Sequence, residues 1–224
     1  MKLIRTLGIS ALTLSMFALV YVVLEPSISS AVGSQFTETL SVTSEISFLT
    51  PASNITLSPA IAGLTGGEAN GATQVVVLTN NASGYNMTLT ASSSVGMLGN
   101  AQGGNIPAYV PTVDGTPDFA FSTPANKARF GYTVEASTTA DLVAAFKDNG
   151  SDTCGGANVT DTANSCWLNA SSSAFQIINR SSETLDSGAT TTIKFRAVIS
   201  ANPSPAIPQD TYVATTTLTA VVNP

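Results

Sequence analysis

The sequence predicts an all-β protein, an antiparallel sandwich that follows an apolar N-terminal segment. Three observations carry that expectation. Apolar residues recur at every second position in several runs, the period of a strand with one buried face. Most of the 17 glycines and 11 prolines fall between those runs, where turns are needed. Charged residues make up 10% of the chain, against roughly 25% in an average soluble domain. Ser, Thr and Asn fill the polar positions instead, which suits strands and disfavours helices. A hydrophobic fraction of 43% and a mean hydropathy of +0.26 supply a core and argue against disorder.

At the N-terminus, Lys2 and Arg5 precede an uncharged apolar stretch from Thr6 to Leu24, closed by Glu25 and Pro26. Ser29-Ser30-Ala31 places small residues at the −3 and −1 positions of a cleavage after Ala31. This is the layout of a secretory signal peptide. Residues 1–31 are therefore expected to be removed, leaving 34–224 as one sandwich domain outside the cytoplasm. The stretch is longer than the usual ~7–15 residues of a signal and approaches the roughly 20 that span a bilayer. An uncleaved anchor helix stays open as the alternative, with membrane contact through residues 6–24 only.

The first strand is expected over 36–48. Phe36, Leu40, Val42, Ile46 and Phe48 share one face, and Thr37, Thr39, Ser41, Thr43, Glu45 and Ser47 the other. Thirteen extended residues would reach about 43 Å. The run is free of Pro and Gly. It can pair within its own domain or be donated to a neighbour, with those five apolar residues as anchors.

Ile55–Leu57 predicts a short strand before Pro59. Thr73–Thr79 and Tyr85–Ser92 flank Asn80-Asn81-Ala82-Ser83-Gly84, which reads as a hairpin with Tyr85, Met87, Leu89 and Ala91 inward. Residues 93–116 are loop-like, and Phe119 and Phe121 suggest a short strand. Arg129–Glu135 turns Phe130, Tyr132 and Val134 inward. Thr138–Gly150 breaks the pattern: Thr138 as N-cap, Asp141 three residues later and the Leu142, Val143, Phe146 stripe predict one short helix. Strands resume at Cys166–Leu168, Ala174–Arg180, Thr191–Ser200 and Thr211–Val222. Ile193, Phe195, Ala197 and Ile199 oppose Lys194 and Arg196, and Tyr212, Ala214, Leu218, Ala220 and Val222 form a last buried face. Eight to ten such strands make an Ig-like or jelly-roll-like antiparallel sandwich.

Cys154 and Cys166 are the only cysteines, separated by a loop rich in Gly, Asn, Asp and Thr. In an exported chain they are expected to form a disulfide, which by loop entropy stabilises by about 3 kcal/mol.

Composition excludes several functions. The chain has no histidine, which removes Ser-His-Asp and Cys-His catalysis and His-containing zinc sites. A hydrolase would need a carboxylate pair, and no motif nominates two of the 14 acidic residues. The net charge is −6 and the cations are scattered singly, so no nucleic-acid partner is expected. No cofactor and no enzymatic activity are expected.

Thr79–Ser94, TNNASGYNMTLTASSS, is similar to the hairpin of exported bacterial surface β-sandwiches, including WxL-type domains. Asp210–Val222, DTYVATTTLTAVV, resembles the terminal strand of fimbrial subunits and Ig-like surface modules. The resemblance covers under a fifth of the chain and implies an extracellular structural or adhesive protein, a self-assembling fimbria-like subunit or a partner of other cell-surface components. Trp167 is followed directly by Leu168, outside a Trp-x-Leu context, so peptidoglycan binding is not carried over. Resembling pilin-type modules also imply a Lys–Asn isopeptide bond, for which Lys194 would be the lysine.

Other candidates are weighed against plainer roles. Asp148, Asn149, Asp152, Asn158 and Asp161 crowd one region and offer oxygen ligands to calcium, though such residues are also ordinary turn formers. Glycans are the alternative partner: Tyr109, Tyr132 and Trp167 could stack on sugar, while Trp167 could equally pack on the disulfide. Asn54, Asn81, Asn86, Asn149, Asn158, Asn169 and Asn179 each begin an Asn-x-Ser/Thr sequon.

Overall fold

The computed structural model of the chain describes residues 33–148, 150–155 and 166–224. The signal or anchor segment lies outside them; among the described residues no helix is long and apolar enough to cross a membrane. Twelve strands follow in order: β1 (Ile46–Thr50), β2 (Gly67–Thr79), β3 (Tyr85–Ala91), β4 (Gly96–Gly99), β5 (Asn105–Pro107), β6 (Asp118–Phe119), β7 (Ala128–Ala136), β8 (Cys166–Trp167), β9 (Phe175–Arg180), β10 (Ala189–Ile199), β11 (Tyr212–Val213) and β12 (Thr216–Val222). Every ladder between them is antiparallel.

Two sheets make the sandwich. One runs β1-β2-β10-β7 and the other β12-β3-β9; small sheets β11-β4-β5 and β6-β8 lie outside them. Alternation decides what faces inward. Val75 and Val77 of β2, Ile193 and Phe195 of β10 and Phe130 and Tyr132 of β7 pack in one core with Tyr85, Met87 and Leu89 of β3. The Phe130 and Phe195 rings stack with centroids 5.8 Å apart. On β9, a register shift between Met87 and Thr88 of its partner makes a bulge that lets the adjacent Ile177 and Ile178 both be buried.

Five expectations are corrected. The Thr73–Thr79 and Tyr85–Ser92 runs do not pair as a hairpin. β2 pairs with β1 and β10, β3 with β12 and β9, so Asn80–Gly84 carries the chain from one sheet to the other. Gly84 has φ +75° there, and a Cβ would strike the Arg180 carbonyl.

The short helix is absent. Thr138–Gly150 holds two 3-10 turns, Thr139–Asp141 and Ala144–Phe146, and Thr138 makes no side-chain cap bond. Between them the backbone is extended, because Leu142 bridges to Ile178 and the Val143 N–H donates to the Ile177 carbonyl. Pairing with β9 has overridden a weak helical preference.

The long first strand is also cut short. β1 begins only at Ile46, which pairs with Thr79, the last residue of β2. Among the described residues, 33–45 form no strand. Likewise Ile55–Leu57 makes no strand: only Ser58 bridges back, to Asn70. The Thr211–Val222 run divides into β11 and β12, which join different sheets.

Candidate functional site

The two sides of the sandwich differ. On the β7/β9 side, Leu142 and Val143 pair with β9, and Leu168 exchanges backbone hydrogen bonds with Tyr132 of β7 at 2.9 Å each way. Phe146 fills the space beneath, against Tyr132 (5.5 Å) and Phe175 (5.7 Å). Arg180 donates from Nη1 to Asp141 Oδ2 at 2.6 Å. That side is closed.

The opposite side is open between the segment 52–57 and residues 211–218. A groove of about 600 Å³ lies there, walled by Ile55 and Leu57, by Tyr212 and Leu218, and floored by Ile193 and Phe195. Gly71 lies opposite Phe195 on β10, and a Cβ on it would come within 2.8 Å of Leu57 Cδ2. The segment after β1 therefore drapes over β2 without joining its ladder, held by the Ser53 N–H donating to Thr73 Oγ1. Along β12, the inward Leu218, Ala220 and Val222 are only half-buried, whereas Tyr85, Met87, Leu89 and Ala91 on the neighbouring β3 are buried.

On its side away from β3, β12 has no ladder partner among the described residues. Just before it, the Ser92 N–H donates to the Thr215 carbonyl; just after it, the Asn223 N–H donates to the Gly84 carbonyl. In an antiparallel ladder this parity gives residues 217, 219 and 221 to β3 and turns the N–H and C=O of Thr216, Leu218, Ala220 and Val222 outward. The strand carries no charge and no proline, the devices that usually protect such an edge.

Of the five anchors chosen from the sequence, the structure divides two from three. Ile46 and Phe48 lie in β1. Phe36, Leu40 and Val42 belong to residues 33–42, which have no strand, and are 81%, 88% and 78% exposed. Within the compact unit Thr43–Pro224, the side-chain amide of Asn80 ties down the residues just before β1: Oδ1 accepts from the Glu45 N–H at 2.7 Å and Nδ2 donates to the Thr43 carbonyl at 3.1 Å.

Cys154 and Cys166 form the expected disulfide. Cys166 joins the core, while Trp167 faces away from it, edge-on to Phe121 (5.2 Å) and beneath the Arg196 guanidinium (4.6 Å). Tyr109, Tyr132 and Trp167 are all buried, so these rings offer no open stacking face. Lys194 pairs with Glu135 at 2.6 Å, and Asn70 bonds Arg196 instead, so no asparagine stands at the lysine. Asp148 Oδ1 accepts from the Gly150 N–H in a turn, and Asp152 is exposed. Asn149, Asn158 and Asp161 lie outside the described residues, among which no three acidic or cysteine groups form a metal-binding cluster. Asn54 and Asn179 are exposed; Asn81, Asn86 and Asn169 are half-buried.

The groove was missed in the sequence. The signal available was a terminal strand of threonine and small apolar residues without a charge, which reads equally as a paired strand. Comparison with family models, characterised proteins and solved structures gives no match. The architecture defines the class: an all-β protein of packed antiparallel sheets.

Proposed function

We propose that this is an exported, non-catalytic structural or adhesive protein of the cell surface, which associates with its own copies through the segment that begins at Phe36. One observation carries the reading. Phe36, Leu40 and Val42 keep strand alternation and lie 78–88% exposed, without a ladder among the described residues. A soluble monomer gains nothing from displaying such a row, and apolar exposure of this kind marks an interaction site. The sequence supports the setting: an apolar leader ending in small residues, a paired cysteine couple, a surface of Ser and Thr, and no histidine. The fimbria-like resemblance of the terminal strand agrees with the same role.

Light scattering of the exported protein over a range of concentrations, beside a variant lacking 34–42, tests the reading. The full protein is expected to form oligomers or filaments, visible by negative stain, and the shortened one to stay monomeric. Equal behaviour of the two removes the segment from any role in assembly.

A further inference from the structure

We propose that Asn54 is the acceptor of an N-linked glycan, transferred to its side-chain amide outside the cytoplasm from a polyprenyl-phosphate-linked oligosaccharide. The inference rests on the export in the reading above and is independent of assembly through the segment that begins at Phe36.

Seven asparagines begin an Asn-x-Ser/Thr sequon, and the structure sorts them. An acceptor presents its amide and the hydroxyl two residues on together, on backbone not committed to a ladder, which places such sites on surface loops. The amide must also have a hydrogen to give up, and the folded chain must leave room for the sugar. Of the five sequons whose asparagine is described, four fail one of these conditions. Asn81 uses both amide hydrogens, donating to the Gly84 carbonyl at 2.8 Å and to the Asn223 carbonyl at 2.7 Å. A sugar on it would remove one donor and leave a shielded carbonyl unpaired. Asn86 lies in the central strand β3, opposite Val221 on one side and Asn179 on the other, and donates to Asn223 Oδ1 at 3.2 Å. Asn169 is half-buried between the buried Leu168 and Ala170. Asn179 is exposed, but it is paired in β9, and the next residue of its sequon, Arg180, is held by Asp141 and by the Ser182 and Glu183 carbonyls.

Asn54 meets every condition. Asn54-Ile55-Thr56 belongs to the segment that crosses β2 outside any ladder. Ile55 and Leu57 pack against the core, while Asn54 and Thr56 are exposed, so amide and hydroxyl share the solvent side. Neither of those two side chains makes a hydrogen bond among the described residues. In the transfer, Asn54 Nδ2 bonds to the anomeric carbon of the first sugar as the bond from that carbon to the lipid phosphate oxygen breaks. The lipid phosphate leaves with the electron pair, and the proton lost from Nδ2 passes to solvent. Asn54 also lines the groove, whose lining carries no charged side chain. The sugar therefore brings hydroxyl groups to the rim of an opening floored by Ile193 and Phe195.

Peptide mapping by mass spectrometry, on the full protein isolated from the cells that make it naturally, tests this. The peptide that carries Asn54 is expected to bear added sugar mass, and those that carry Asn81 and Asn86 to be bare. Thr56→Ala is expected to lose the sugar with Asn54 still in place, and Thr56→Ser to keep it. Both variants alter an exposed side chain without a hydrogen bond, so their thermal midpoints after enzymatic removal of glycans should match that of the parent treated in the same way. Protein found outside the cytoplasm with a bare Asn54 overturns the proposal and leaves export standing. Sugar retained on Asn54 in Thr56→Ala overturns transfer directed by the sequon. Protein confined to the cytoplasm overturns export and this site together.

Discussion

Phe48 and Val77 stand opposite each other across the β1–β2 ladder, on the same face of the sheet, yet Val77 is fully buried and Phe48 is 37% exposed. Side chains directly opposed in an antiparallel pair share a face, so Phe48 points to the core side and finds the layer above it incomplete. The difference predicts unequal costs. Val77→Ala should destabilise the monomer by about 2 kcal/mol, as expected for a truncated core side chain, and Phe48→Ala by about 1 kcal/mol or less. Urea unfolding of the form lacking 34–42 measures both. Equal losses would mean that the β1 edge is as closed as the centre.

The Asp141–Arg180 ion pair is mostly shielded, with side chains 12% and 15% exposed. Arg180 also donates to the Ser182 and Glu183 carbonyls, so it organises the end of β9 as well as the 139–146 segment. Removing one partner leaves the other largely desolvated. Asp141→Ala is expected to cost about 2–3 kcal/mol, below the range for a fully buried pair. Arg180→Lys, which cannot hold the same fork of bonds, should recover only part of the Arg180→Ala loss. Chemical denaturation decides it.

Reduction of Cys154–Cys166 should lower stability by about 3 kcal/mol, the loop-entropy value for a span of this length. Cys154→Ser/Cys166→Ser should match the reduced protein. Hydrogen exchange should rise first at Thr139–Phe146 and Cys166–Leu168, the strip that closes the β7/β9 side. A uniform rise over all strands would place the bridge's effect elsewhere.

Alkaline pH should unfold the domain through its tyrosines. Burial, then the negative charge of Asp141, pushes the Tyr85 hydroxyl up to about 12 against the lowering effect of Arg180; burial raises Tyr132 as well. An unfolded tyrosine ionises near 10. The folded state therefore prefers the protonated phenol: this contribution is intact below pH ~10 and is lost as pH rises towards about 12. Absorbance of tyrosinate should appear together with loss of structure. Tyr85→Phe should move the transition to higher pH and cost little at neutral pH, because the hydroxyl has no hydrogen-bond partner among the described residues. An unmoved transition would exclude Tyr85 from it.

Period-two patterning located most of the core. Tyr85, Met87 and Leu89, Phe130, Tyr132 and Val134, and Ile193 to Ile199 are buried as their alternation requires. Alternation does not say which strand pairs with which, so Asn80–Gly84 looked like a hairpin loop although it crosses between sheets. Nor does it say that a partner exists in the same chain. The 36–48 run has the pattern throughout, but β2 stops at Thr79 and only Ile46 onward can pair. The disulfide was legible from two cysteines and the expectation of export. The groove was not, because its walls come from distant segments, 52–57 and 211–218.

The most direct test of the central claim is amide hydrogen exchange of the protein, dilute and assembled. In dilute solution residues 36–42 should exchange freely. On assembly they should become protected. Assemblies in which residues 36–42 still exchange at the free-chain rate would contradict the account.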